Sequence, residues 1–193
     1  MRIGTGVVLA GLLLAPACHG PARGGGIPMT LETASPAEVI TALYAEVTFE
    51  AGAGPDWDVV RALFDPDAVI VLRTSRDEST RFTLDGFVAD FVAFIERADA
   101  ERTGFSERIL SMELTEFGDL AHALVLYEAH LPRPGRSPSQ GVDSIQLSRH
   151  DGRWRIVSIV NELPAEGRPL PDALLGAPEL PSEPPPAAGP GAR

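Results

Sequence analysis

From residue 35 to residue 64 the apolar positions return every three or four residues, whereas beyond residue 105 they alternate with polar ones. The first period belongs to helices with one buried side, the second to strands in a sheet with two unlike faces. Ser35-Pro36-Ala37-Glu38 opens the first helix as a capping box with proline at its first position. Its apolar stripe is Ile40, Leu43, Tyr44, Val47 and Ala51, and Gly52-Ala53-Gly54-Pro55 marks its end. A short second helix starts from an Asp56 cap, with Val60, Leu63 and Phe64 on one side. The turn Asp65-Pro66-Asp67 then feeds a strand at Val69-Ile70-Val71-Leu72, and a brief strand at Arg81-Phe82 leads into a third helix. That helix is capped by Thr83 or Asp85, buries Phe87, Phe91, Phe94 and Ile95, and closes at Gly104.

Four strands follow, at about 105–117, 119–131, 141–149 and 153–162. Gly118-Asp119 and Asp151-Gly152 have the composition of two-residue hairpin turns, and a Pro-rich loop at 132–140 makes the remaining link. Helices first and antiparallel strands afterwards predict an α+β domain, with three N-terminal helices packed on one face of a curved, mostly antiparallel sheet.

The two ends of the chain have a different character. Arg2, the apolar run Val7–Leu14 and the small-x-small sequence Ala15-Pro16-Ala17 have the layout of a secretory signal, with cleavage after Ala17. The apolar run is shorter than the roughly 20 residues that span a bilayer. Cys18, the only cysteine, follows directly and resembles the acylated cysteine of a bacterial lipoprotein, although Ala15 and Pro16 depart from that pattern. Lipid anchoring in the cell envelope is expected, and periplasmic location or secretion after cleavage at Ala17 is the alternative. Residues 1–17 are thus assigned to a signal peptide, 18–34 to a Gly-rich flexible tether and 35–163 to the folded domain. The Pro/Ala/Gly-rich stretch 164–193 is assigned to a disordered tail.

Composition narrows the range of functions. A hydrophobic content of 44% supports a real core, and a net charge of −11 with no Lys/Arg stripe argues against nucleic-acid binding. No Gly-rich phosphate loop or nucleophile-elbow serine occurs, so no cofactor is expected. His122, Glu128 and His130 sit at i, i+6 and i+8 of one strand, a spread of about 20 Å or more, too wide to close on one metal ion.

Three stretches carry a family likeness: Leu63-Phe64-Asp65-Pro66-Asp67-Ala68-Val69-Ile70, Gly118-Asp119-Leu120-Ala121-His122-Ala123 and Asp151-Gly152-Arg153-Trp154-Arg155-Ile156-Val157. With the order of elements, they resemble the nuclear-transport-factor-2-like superfamily, which includes ketosteroid isomerase and the SnoaL-like polyketide cyclases. The resemblance implies a cone-shaped domain with an apolar pocket between helices and sheet, and dimerisation through the exposed sheet face. Strand alternation suggests the lining. Asp143 shares a face with Ile145 and Leu147, and folding the neighbouring strand back across the loop sets Glu128 roughly opposite it, with His122, Leu124 and Leu126 on the same side. Phe91 from the third helix is a further wall residue, and the last strand offers Val157, Ile159 and Asn161 if it presents that face.

Asp143 matches the isomerase aspartate that donates a hydrogen bond to the developing oxyanion. Leu72 occupies the position of that family's base, and Tyr44 lies about one residue out of phase with its oxyanion tyrosine. Two functions therefore compete. One is a pocket for a small apolar ligand, or a homodimeric interaction module, without catalysis. The other is a SnoaL-like isomerase, cyclase or dehydratase with Asp143 as acid or hydrogen-bond donor, Glu128 as substitute base, and Tyr44 and His122 as auxiliary groups.

Overall fold

The computed structural model describes residues 33–74 and 77–175. Eleven elements follow in order among them: α1 (Pro36–Val47), α2 (Trp57–Ala62), β1 (Phe64–Arg73), β2 (Ser79–Thr83), α3 (Leu84–Arg97), α4 (Ala100–Thr103), β3 (Ser106–Phe117), β4 (Leu120–His130), β5 (Ser139–His150), β6 (Arg153–Glu162) and α5 (Asp172–Leu175). The signal sequence, Cys18 and all but the last two residues of the tether lie outside the described residues.

The six strands form one sheet in the order β2-β1-β6-β5-β4-β3. Only β1 and β6 run parallel; every other neighbouring pair is antiparallel. The architecture is the expected α+β arrangement of helices on a mostly antiparallel sheet. Helix α1 crosses the sheet over β3 and β6, and α3 covers β1 and β2. The core lies between them, with Val39, Ile40, Val60, Ile70, Ile145 and Ile156 fully buried. Hairpin geometry follows the turn residues: Asp151 and Gly152 both have positive φ, 52° and 77°, the backbone that matches strand twist in a two-residue turn.

Several boundaries shift for identifiable reasons. The capping box is present, Ser35 N–H donating to Glu38 Oε2 at 2.7 Å, but α1 ends at Val47 rather than near Ala51. β-branched Thr48 and aromatic Phe49 leave the helix for strand-like pairing, Phe49 exchanging backbone hydrogen bonds with Phe105 at 2.8 and 2.9 Å. The third helix stops at Arg97; Asp99 at φ 47° breaks it, and α4 occupies the remaining stretch to Gly104. Strand β1 begins at Phe64, so Asp65-Pro66-Asp67 is an irregularity within a strand, with Asp67 N–H bonded to Asp65 Oδ1 at 2.9 Å.

The expected limit of the folded part at residue 163 also falls short. Past Glu162 the chain continues to α5, which packs on β3 and β4, and Leu174 is 3% exposed. Leu126, turned away from α1 and α3, is buried at 5% exposure with its cross-strand partner Ser111 beside it. Helix α5 therefore covers part of the outer sheet face.

Candidate functional site

A cavity of about 290 Å³ opens between α1, α3 and the inner face of the sheet. Its wall is largely apolar, built by Leu43 and Val47 of α1, Ile70 and Leu72 of β1, Phe87 and Phe91 of α3, Ile159 of β6, and Leu163. Five polar residues interrupt this lining: Tyr44, Glu107, Tyr127, Asp143 and Asn161. Arg73 reaches the same space but is tied by two hydrogen bonds to Glu162.

Register brings the polar group together. Asp143 and Asn161 are cross-strand partners on β5 and β6, so their side chains stand side by side on the inner face. Asn161 Nδ2 donates to Asp143 Oδ1 at 2.8 Å and to the Tyr127 hydroxyl at 2.9 Å. From above, Tyr44 donates its hydroxyl proton to Asp143 Oδ2 at 2.6 Å. Tyr44 lies in this position because it follows Ile40 and Leu43 on the buried side of α1. Tyr127 fits because its cross-strand partner is Gly141: a Cβ there would collide with the phenol ring and hydroxyl.

Glu107 comes from the start of β3. Thr48 fixes its backbone, its hydroxyl accepting from Glu107 N–H at 2.8 Å and donating to the Glu107 carbonyl at 3.0 Å. The Glu107 carboxyl has no hydrogen-bond partner among the described residues and borders the cavity. Burial, and then the nearby Asp143 charge, push it from an ordinary value of 4.5 up to about 8. Asp143 is also raised, by burial, with the donors from Tyr44 and Asn161 working in the opposite direction. Both tyrosines are held above their usual range, burial being the larger cause and Asp143 the next. At neutral pH the cavity thus offers two kinds of carboxyl: Asp143, whose oxygens are engaged by two donors, and Glu107, which keeps its proton and has a free O–H to donate.

The sequence-derived lining divides into two sets. Asp143, Tyr44, Phe91 and Asn161 border the cavity, and Leu72 stands in the wall without a titratable group. Ile145 is completely buried in the core, outside the cavity wall. The residues taken from β4 point the other way. Asp143 pairs with Val125, and Glu128 pairs with Gln140, so the true register lies three residues from the expected one. An odd offset reverses the face. Ala121, Ala123, Val125 and Tyr127 face inward, while His122, Leu124, Leu126 and Glu128 face out. His122 bonds Ser144 Oγ at 3.0 Å, and Glu128 forms an ion pair with Arg108 at 2.9 Å. Glu128 is therefore removed from any chemistry in the cavity. On β6 an irregularity near Val157 carries it out of the inner set, leaving Ile156, Ile159 and Asn161 inside.

Glu107 and Tyr127 are absent from the sequence-derived lining. The alternation from Glu107 through Ile109 is interrupted by a bulge between Ile109 and Ser111, which hides the shared face with Met112. The Gly141 opposite Tyr127 was the available signal, since a glycine inside a strand marks a close approach. Among the described residues no group of three or more His, Cys, Asp or Glu side chains is placed to hold a metal ion.

A cone of helices over a mixed six-stranded sheet, with a side cavity whose polar group lies on the central strands, defines a recurrent class of α+β domain. No protein-family model matches the chain, and no curated protein matches its sequence. Solved structures do. An NTF2-like protein with a cystatin-like fold from Novosphingobium aromaticivorans superposes with a TM-score of 0.54 over 73% of this chain and 89% of that one, at 18% identity. A protein of unknown function with a cystatin-like fold from Nostoc punctiforme gives 0.51 over 66% and 87%, at 13% identity. The association domain of C. elegans CaMKII gives 0.48 over 65% and 91%, at 16% identity. The chain has the nuclear-transport-factor-2-like fold.

Proposed function

We propose that the domain is a binding module whose cavity accepts a small, mainly apolar molecule with one hydrogen-bonding group. The observation that carries this reading is the closure of an apolar cavity on Glu107 and the Asp143–Tyr44–Asn161 group. Its volume, about 290 Å³, stands at the lower edge of the roughly 300–1,000 Å³ common for small-molecule sites. The polar residues supply orientation: a protonated Glu107 donates to a ligand carbonyl or hydroxyl, while Asp143 is held rigid by its two donors. Native mass spectrometry of the purified protein tests this beside Leu72→Trp, which fills the cavity from its wall. A retained small molecule in the wild type and none in a folded Leu72→Trp variant is the expected outcome. An empty wild type that also shows no thermal shift across a broad panel of small apolar compounds would overturn the reading.

A catalytic reading rests on a separate observation, the unlike environments of Glu107 and Asp143, since acid and base roles follow where two carboxyls are pushed apart. In an isomerase, cyclase or dehydratase of this form Glu107, which holds its proton, is the acid, and Asp143, which accepts from Tyr44 and Asn161, is the base. Glu107→Gln would then abolish turnover of a bound compound while leaving its binding within a few-fold. Unchanged turnover in that variant would exclude it.

An interaction module is the third form, with a second copy on the outer sheet face; there the chain's own α5 already occupies the part over β3 and β4. We also propose export with acylation at Cys18, on the pattern of residues 1–18 alone. The intact mass of the mature N-terminus decides it: an unmodified cysteine excludes the anchor.

A further inference from the structure

A second cavity of about 450 Å³ lies outside the first and shares Leu72, Arg73, Phe87, Phe91 and Glu107 with it. The two cavities adjoin along this shared wall, which includes Phe91 and Glu107. The outer chamber has an apolar floor from Phe94, Phe105 and Leu131, but its rim carries Arg97 at the end of α3 and Arg136 in the β4–β5 loop.

The net charge is −11, and all 16 basic residues are arginine. Elsewhere Arg61, Arg73, Arg102, Arg108, Arg149 and Arg168 each meet a carboxylate. Arg97 and Arg136, like Arg81, Arg133 and Arg155, meet none among the described residues, and they alone of these stand at this cavity, sharing its rim with Asp90. The charge of Arg73 is already countered by Glu162. An acidic protein thus gathers two guanidinium groups, free of ion pairs, at the mouth of an apolar cavity. Planar guanidinium groups suit a carboxylate, which they bind through paired N–H donors. The inner chamber offers an anion no free cation, since Arg73 is bound to Glu162, so the guanidinium pair outside is the seat for a charged group.

We propose that the two chambers together bind a carboxylate amphiphile, its apolar body lying along Phe91 into the inner cavity and its anionic head held by Arg97 and Arg136. This rests on the binding reading above and names the ligand class for it.

The test is calorimetric titration of the full-length chain with decanoate and with the uncharged decanol. Trp57 fluorescence serves as a second readout, because Trp57 packs edge-on against Phe91 with centroids 5.6 Å apart. Wild type is expected to bind decanoate at least about ten-fold more tightly than decanol. The double variant Arg97→Gln/Arg136→Gln should lower decanoate to the decanol level and leave decanol unchanged. Equal affinity for the two probes in wild type, or a preference that survives in the double variant, overturns the anion seat. If decanol binding is then lost in Leu72→Trp, the cavity reading stands without it. No binding of either probe to the folded wild type overturns this inference, and an empty cavity across the broader compound panel separately overturns the reading beneath it.

Discussion

Glu107 shows how one side chain couples the cavity to solvent. Its carboxyl is raised from 4.5 to about 8, so the folded state holds a proton that the unfolded chain releases. The corresponding stability is complete below about pH 4.5 and declines as pH rises toward 8, by up to about 1.4 kcal/mol per unit if the group were fully shielded. Glu107 is only half-buried, and solvent contact narrows the pH window over which that slope applies. Asp143, also raised, contributes in the same direction. Glu107→Gln keeps the hydrogen-bonding shape and removes the ionisation. Urea denaturation at pH 5 and pH 8 should therefore show a smaller loss of stability in the variant than in wild type, with the variant the more stable of the two at pH 8. An identical pH slope in both proteins would place the Glu107 carboxyl in ordinary solvent.

At the scale of the element, the site depends on how strands β4, β5 and β6 are aligned. Tyr127 lies across Gly141, and Asn161 reaches the Tyr127 hydroxyl from the next strand. Gly141→Ala forces the tyrosine off its position and breaks that hydrogen bond. A loss of about 1–3 kcal/mol is expected, as for other overpacked sites. Tyr127→Leu made in the same chain should recover part of it, giving a non-additive double-mutant cycle in chemical denaturation. Additive effects would show that the two residues do not touch.

The alignment is also where sequence reasoning reached its limit. Each strand was legible from its alternation, and so was the inward side of β5, because Asp143, Ile145 and Leu147 contrast with Ser144, Gln146 and Ser148. Strand β4 has no such contrast. It carries leucines on one face and alanines, valine and tyrosine on the other, and the larger aliphatic set suggested the wrong side. The inner face takes the smaller residues in the packed core, with Ala121 and Ala123 at 2% and 0% exposure, while the leucines are partly covered by a segment read as a tail. Bulges in β3 and β6 reset the alternation within a strand, which single-residue periodicity does not anticipate.

For the whole molecule, the order of elements sufficed to indicate an α+β cone, since helical and strand periods are distinct along the chain and the hairpin turns are explicit. The extent of the packed structure did not follow from composition. Residues 164–175 are rich in proline and charge, yet Leu174 is buried over β3 and β4. Leu174→Asp should destabilise the protein by about 2 kcal/mol or more, since it exchanges a buried leucine for a charge with no partner. A urea midpoint unchanged by this substitution would show that the segment does not hold to the sheet in solution.

The sheet order has a consequence for the making of the protein. The last strand among the described residues, β6, is interior, joining the β1–β2 hairpin on one side to β5 on the other. As the chain leaves the ribosome, the two parts of the sheet have no backbone connection until residues 153–162 emerge. Every earlier nascent chain carries two open strand edges, which invite pairing with other chains. Tyr44 and Asp143, separated by 99 residues, complete their bond through a sheet that only this final strand closes. A chain stopped just before β6 would therefore hold Tyr44, Glu107, Tyr127 and Asp143 without the strand that aligns them.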